Sequence, residues 1–296
     1  MPPAQPRVSS QRDDDLTGPA TWTLSGFGDE IDPEPDVQTA VLAALGARFI
    51  EVRSAWRTNV VDLDDAQVAT LRRKLDAAGI GVSAVASPIG KVDVSLDADH
   101  EVRRLRRVIR VARALGTPNI RIFSFFRPEG VAAADVRDEV LTRMRLLADE
   151  AERSDIVLLH ENEKDIYGDI PERVLDIVES VGSPALRLAW DNANFVQVGV
   201  RPFTDGYALL RPHLDYLQVK DALASSGEVV PAGEGDGQLR ETLTALRDSG
   251  YTGFASLEPH LAEGHMLGGF SGPRAFGAAA RAFAGLTREL GIEIAR

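Results

Sequence analysis

From Thr21 onward, short runs rich in Val, Ile, Leu and aromatic residues alternate with longer stretches whose apolar residues recur at three- and four-residue spacing. The first pattern suits a buried strand and the second an amphipathic helix, so their alternation predicts βα units and a parallel sheet. Strands are expected at 22–26, 48–53, 81–86, 119–124, 156–161, 186–191, 215–219 and 254–258. Helices are expected near 34–46, 65–78, 98–115, 133–153, 171–181, 203–211, 238–249 and 274–290. Val174, Ile177, Val178 and Val181 carry the helical spacing in the fifth of these, and Leu239, Leu243 and Leu246 in the seventh. Gly79, Gly116, Gly182 and Gly250 follow helical runs as stop signals, with Pro118 and Pro184 soon after two of them. Eight such units over roughly 270 residues match the size of a closed (β/α)₈ TIM barrel. An open doubly wound sheet competes with it, but no GxGxxG turn follows the first strand, which weakens the dinucleotide-binding form. The expected organisation is therefore α/β, with an extension over 1–20 and one barrel domain over 21–296.

Composition narrows the partners. The chain has 296 residues, 44% of them hydrophobic and 26% charged, enough to bury a large core. Its net charge of −12 repels phosphodiester backbones unless a local basic stripe reverses the field, so no nucleic-acid partner is expected. Arg103, Arg104, Arg106, Arg107 and Arg110 do cluster, but opposite them lie Val102, Leu105, Val108, Ile109 and Ala112, which makes the cluster the solvated face of a helix. With no cysteine in the chain, thiolate nucleophiles and Cys-ligated metals are excluded, and any metal must take oxygen or imidazole. Residues 1–20 carry few large apolar side chains and are expected to stay disordered. Neither a secretory apolar core nor a bilayer-length apolar run is visible, so the expectation is a cytoplasmic protein without a membrane partner.

Four of the strand-like runs in the second half end in a residue that can offer oxygen to a metal: Glu161, Asp191, Gln218 and Glu258. Successive members lie 30, 27 and 40 residues apart, close to the roughly 30 residues of one βα repeat. Barrel active sites form at the C-terminal ends of the strands, so the four are expected to converge. Alternation then places Leu159, Ala189, Tyr216 and Ser256 inward beneath them, with His160 facing the helical layer. Two Glu, one Asp and one Gln supply hard oxygen donors, which favour Mn²⁺ or Mg²⁺, admit Co²⁺ and give Zn²⁺ no preference. The bland alternative is that each residue merely caps the next helix or sits in a salt link.

The segments HENEKDIYGDIPER, WDNANF, YLQVKDA, PAGEGDG and SLEPH resemble the xylose isomerase-like TIM barrels, a group of sugar phosphate isomerases and epimerases that includes endonuclease IV-like proteins. The resemblance covers nearly the whole chain after residue 20. It implies one divalent metal held by Glu161, Asp191, Gln218 and Glu258, and a carbohydrate-like small-molecule substrate. Many relatives carry His where Gln218 stands; Gln makes the site harder and less zinc-like, and is also similar to the 3-dehydroshikimate dehydratase branch. The implied mechanism polarises a carbonyl at the metal, stabilises an enediolate, and uses Glu161 and Glu258 as an acid/base pair. A dehydratase or lyase using the same logic is the alternative. Endonuclease IV-like repair fits less well, since the chain has only five histidines for a multi-zinc site, and a non-catalytic sugar-binding barrel is a further alternative.

Other residues are read with two alternatives each. Lys220 holds a substrate oxygen or pairs with Asp221, and Arg53, near Glu51, binds a substrate anion or forms a structural ion pair. Asn192 and Asn194 contact sugar hydroxyls or shape a turn. The glycines of 231–237 cradle a phosphate or form a flexible turn. His260 enters the site from the Gly-rich segment after the last strand, while His265 is a surface residue by default. Phe125, Phe126 and Phe195 are taken as exposed apolar residues lining a pocket or a subunit contact, which leaves a homo-oligomer open.

Overall fold

The computed structural model describes residues 21–265 and 268–295. The extension over 1–20 and the His265 side chain lie outside the described residues. The eight expected strands form: β1 (Thr21–Gly26), β2 (Phe49–Val52), β3 (Gly81–Ala86), β4 (Asn119–Ile122), β5 (Val157–Glu161), β6 (Leu186–Asp191), β7 (Leu214–Val219) and β8 (Phe254–Leu257). A ninth, β9 (Glu293–Ala295), pairs parallel with the start of β1. The sheet runs in the order β9-β1-β8-β7-β6-β5-β4-β3-β2, and a parallel bridge between Phe27 and Glu51 closes the β1 side onto β2. This is a TIM barrel.

Helices α1 (Pro35–Ala44), α2 (Asp65–Ala78), α3 (Ala98–Leu115), α4 (Ala133–Glu152), α5 (Pro171–Val181), α6 (Asn192–Gln197), α7 (Leu239–Asp248) and α8 (Gly272–Glu289) pack outside or at the rim. Their ends follow local chemistry. Asp64 and Gln67 form a reciprocal capping box on α2, and Gly79 ends it with φ 66°, a left-handed conformation that favours glycine. The arginine face of α3 is solvated as expected, with Arg106 paired to Glu150 and Arg104 to Glu101.

Inside the barrel, Phe49, Ala84, Leu159, Ala189, Tyr216 and Phe254 form their own packed cluster. Small residues on two strands make room for aromatic rings on others, and the Phe49 and Phe254 rings meet edge to face at 5.0 Å. That cluster sets the strand parity: Leu159, Ala189 and Tyr216 face inward. His160 lies on the other side of β5, fully buried beside Gly168 and Ser124.

The sequence pattern misjudged several features. The helix expected at 203–211 is a π-helical turn (Pro202–Tyr207) followed by two short turns; Pro202 opens the first, Pro212 lies in the last, and Gly206 packs tightly against Pro171. Asn192 and Asn194, read as sugar contacts or turn residues, lie in a short helix, α6, capped by Asp191. Phe125 and Phe195 are buried, not exposed: the first lies under Arg143 and the second packs edge to face on Trp190. Among the described residues no helix is long and apolar enough to cross a membrane.

Candidate metal and active centre

β5, β6, β7 and β8 deliver Glu161, Asp191, Gln218 and Glu258 to the C-terminal mouth. Parallel register aligns Asp191 with Gln218 on the neighbouring strand, and Gln218 with Ser256, two residues before Glu258. Carboxylate oxygens of Glu161, Asp191 and Glu258 all lie within 4.8 Å of one another. All four side chains are buried. Both amide atoms of Gln218 are buried without a hydrogen-bond partner, an arrangement that costs stability unless something else satisfies them. A donor set of oxygens alone, with an unpaired carbonyl among them, fits a hard divalent cation such as Mg²⁺ or Mn²⁺.

Each carboxylate is also held from behind. Asn194 donates its backbone N–H to Asp191 Oδ1 at 2.9 Å and its Nδ2 to Glu161 Oε1 at 3.0 Å. Asp191 therefore does cap α6, as the bland reading had it, but with one oxygen only. Asn194 is a scaffold for two carboxylates, and its amide also donates to Asn162 O, so it is not a free sugar contact. Asn192 is likewise engaged, bridging Gly237 O and Thr242.

Arg53 uses its whole fork on protein: Nε to Asp29 at 2.8 Å, Nη1 to Glu258 at 3.3 Å and Nη2 to Gly269 O at 2.8 Å. Of its two readings, the structure shows the ion pair. His260, with φ 44°, places Nε2 3.0 Å from Glu30 and 3.3 Å from Glu258, so it does enter the centre. Lys220 contacts Asp191 Oδ2 at 2.8 Å and Glu258 Oε2 at 3.3 Å. The expected Lys220–Asp221 pair does not form. Asp221 points away, accepting backbone N–H groups from Gly233, Gly235 and Gly237. The N–H groups that would have cradled a phosphate are thus spent on an internal carboxylate.

Arg121 was missed. Its Nε stands 3.0 Å from Glu161 Oε2, unaligned for a hydrogen bond, and its guanidinium stacks on Phe123 at 4.3 Å. The available signal was a lone charge inside the apolar run Ile120–Arg121–Ile122, where only a buried partner makes the residue tolerable.

Burial raises the proton affinity of Glu161 against the pull of Arg121, and lifts Asp191 to about 7 against Lys220. Glu258 is buried too, yet Lys220, His260 and Arg53 together hold it well below the usual carboxylate range. Three cations serve Glu258 and fewer serve its neighbours, so any proton shared by the cluster resides on Glu161 or Asp191. Despite its burial, His260 is pushed up to about 9 by Glu30 and Glu258.

A cavity of about 80 Å³ opens beside this cluster, lined by Arg53, Lys91, Arg121, Glu161, Lys220 and His260 among others. A larger cavity of about 850 Å³ lies at the opposite end of the barrel, between Leu24, Ile80, Phe283 and Ile292. It has no converging carboxylates, and barrel chemistry belongs to the C-terminal face, so the smaller cavity is the candidate site.

Fold and site together define an α/β barrel with a buried cluster of carboxylates at its mouth. The chain belongs to the xylose isomerase-like TIM barrel family, whose model matches residues 39–285. It is 31% identical over 222 residues to the 2-epi-5-epi-valiolone 7-phosphate 2-epimerase of Actinoplanes sp., covering 70% of this chain and 80% of that protein. It is 24% identical over 222 residues to the 3-dehydroshikimate dehydratase of Bacillus anthracis, covering 69% and 78%. A solved xylose isomerase-like TIM barrel protein from Mycobacterium smegmatis in complex with magnesium shares the fold, with TM-score 0.65, 19% identity and coverage of 93% and 97%.

Proposed function

We propose that the chain is a divalent-cation-dependent epimerase or isomerase of a sugar, keto sugar or polyol derivative. The observation that carries this reading is the convergence of Glu161, Asp191 and Glu258 within 4.8 Å, with the unpartnered Gln218 in register with Asp191 on the next strand. In this reading those four residues hold the cation. A bound Mn²⁺ or Mg²⁺ would polarise a substrate carbonyl and make the adjacent C–H acidic. Glu161, on β5, takes or returns the proton on one side, and Glu258, just beyond β8, does so on the other. Arg53 and His260 hold Glu258 in its ionised form, while Asn194 and Arg121 fix the direction of Glu161. Lys220 and Arg121 place positive charge beside the anion left after proton loss. The epimerase relative, which bears the carbonyl chemistry in its name, supports this choice.

The test follows solvent deuterium into ketoses, ketose phosphates and cyclic keto polyols by NMR, with Mn²⁺ or Mg²⁺ present. Exchange at the carbon beside the carbonyl, abolished by chelation, is the expected result. Glu161→Gln and Glu258→Gln should each slow it by about 10²–10⁴-fold. Wild-type exchange in both variants, with cation content unchanged, would refute their roles. Loss of water from 3-dehydroshikimate with a new conjugated chromophore, and no exchange in the ketoses, would assign the lyase reading instead.

A further inference from the structure

The carboxylate oxygens of the centre divide between two kinds of partner. Asp191 Oδ1 and Glu161 Oε1 accept from Asn194, and Glu258 Oε1 faces Arg53 and His260. These partners are anchored elsewhere: Asn194 by the first turn of α6 and by Asn162, Arg53 by Asp29, His260 by Glu30. The other oxygens of Asp191 and Glu258 both meet Lys220 Nζ, at 2.8 and 3.3 Å. Lys220 is itself almost fully buried, and among the described residues it pairs with these two carboxylates and no other.

Those two oxygens, together with Glu161 Oε2 beside Arg121, are the ones left for a cation. A hard cation bonds a carboxylate oxygen at about 2.0–2.2 Å, which leaves no room for an ammonium group bridging the same two oxygens. Two positive charges that close in a buried site also repel strongly. Lysine, unlike the anchored arginine, can relocate its charge by rotating a four-carbon stem. Glu163, which pairs with Lys91 at 2.9 Å, lines the same cavity as Lys220 and offers it another carboxylate.

We propose that Lys220 is an internal occupant of the cation site. In the cation-free protein its ammonium bridges Asp191 and Glu258, and cation binding transfers it toward Glu163 and the cavity, where it donates to a substrate oxygen. This rests on the reading that the centre binds a divalent cation. Lys220 therefore lowers cation affinity while coupling it to substrate binding, because each event favours the same position of one side chain.

Titration calorimetry with MnCl₂ and no substrate tests the idea on wild type, Lys220→Met and Lys220→Arg. Lys220→Met is expected to bind Mn²⁺ at least about tenfold more tightly than wild type, and Lys220→Arg, which keeps the charge, no more tightly. Equal or weaker binding by a folded Lys220→Met, with wild type still binding one Mn²⁺, overturns the proposal and leaves the cation reading standing. No binding by either protein overturns the cation reading itself. Should Lys220→Met fail to fold by circular dichroism, Lys220→Gln takes its place in the same comparison. In wild type, reductive methylation of Lys220, read by peptide mass spectrometry, should speed up several-fold when Mn²⁺ is added; an unchanged rate refutes the transfer.

Discussion

Glu51 shows how much one residue inside the barrel depends on its neighbours. It is fully buried on β2, accepts a hydrogen bond from Tyr216 Oη at 2.9 Å, and has its other oxygen unpartnered. Burial pushes its carboxyl up to about 8, with Arg121 opposing the shift. The native state thus holds this proton more tightly than the unfolded chain, where the ordinary value is 4.5. The stability that goes with it is complete below that value and is lost as pH rises through about 8. Glu51→Gln keeps an acceptor for Tyr216 but cannot ionise. Urea unfolding from pH 5 to 9 should show the variant gaining on wild type by up to roughly 4 kcal/mol, with no further gain above pH 8. Parallel curves would mean that Glu51 ionises in the fold and is paired with Arg121. In the sequence, Glu51 and Arg121 are isolated charges within apolar runs; that they sit near one another follows only from β2 and β4 both facing the barrel interior.

At the scale of elements, the strand ends and the loops that follow them carry the chemistry together. Asp221, just beyond β7, gathers the 231–237 loop by accepting three glycine N–H groups at 2.9–3.1 Å. A Cβ at Gly235 or Gly237 would stand 2.5 Å from Asp221 Oδ1, so glycine is required there for close approach. Asp221→Ala would leave those donors without their charged acceptor. Chemical denaturation should record a loss of about 2–4 kcal/mol, and a change within 0.5 kcal/mol would show that the loop is held by other contacts. The glycine spacing was visible in the sequence, yet it did not say which anion the loop would enclose. Asp191 has the same lesson at the end of β6: one oxygen caps α6, and the other, beside Lys220, is the one left for the cation proposed above.

At the scale of the whole molecule, the proposed cation, held by residues from four strand ends, would link parts of the chain that lie nearly a hundred residues apart. Ligand that binds only the native state stabilises it by mass action, so Mn²⁺ at about a hundred times its dissociation constant should add roughly 2.7 kcal/mol. For a barrel of this size that is a melting-temperature rise of roughly 5 °C, reversed by chelation; no rise, in wild type at saturating Mn²⁺, would count against the centre. The chain by itself determined the succession of strands and helices and the four oxygen donors, because hydrophobic periodicity and strand-end position are local properties with a fixed repeat. Only the tertiary structure decided which charges meet. Arg121 against Glu161, Lys220 across Asp191 and Glu258, and Asp221 turned away into a glycine loop depend on barrel closure and on loop paths. Those arrangements are selected by competition among several buried partners, and that competition has no period to read along a sequence.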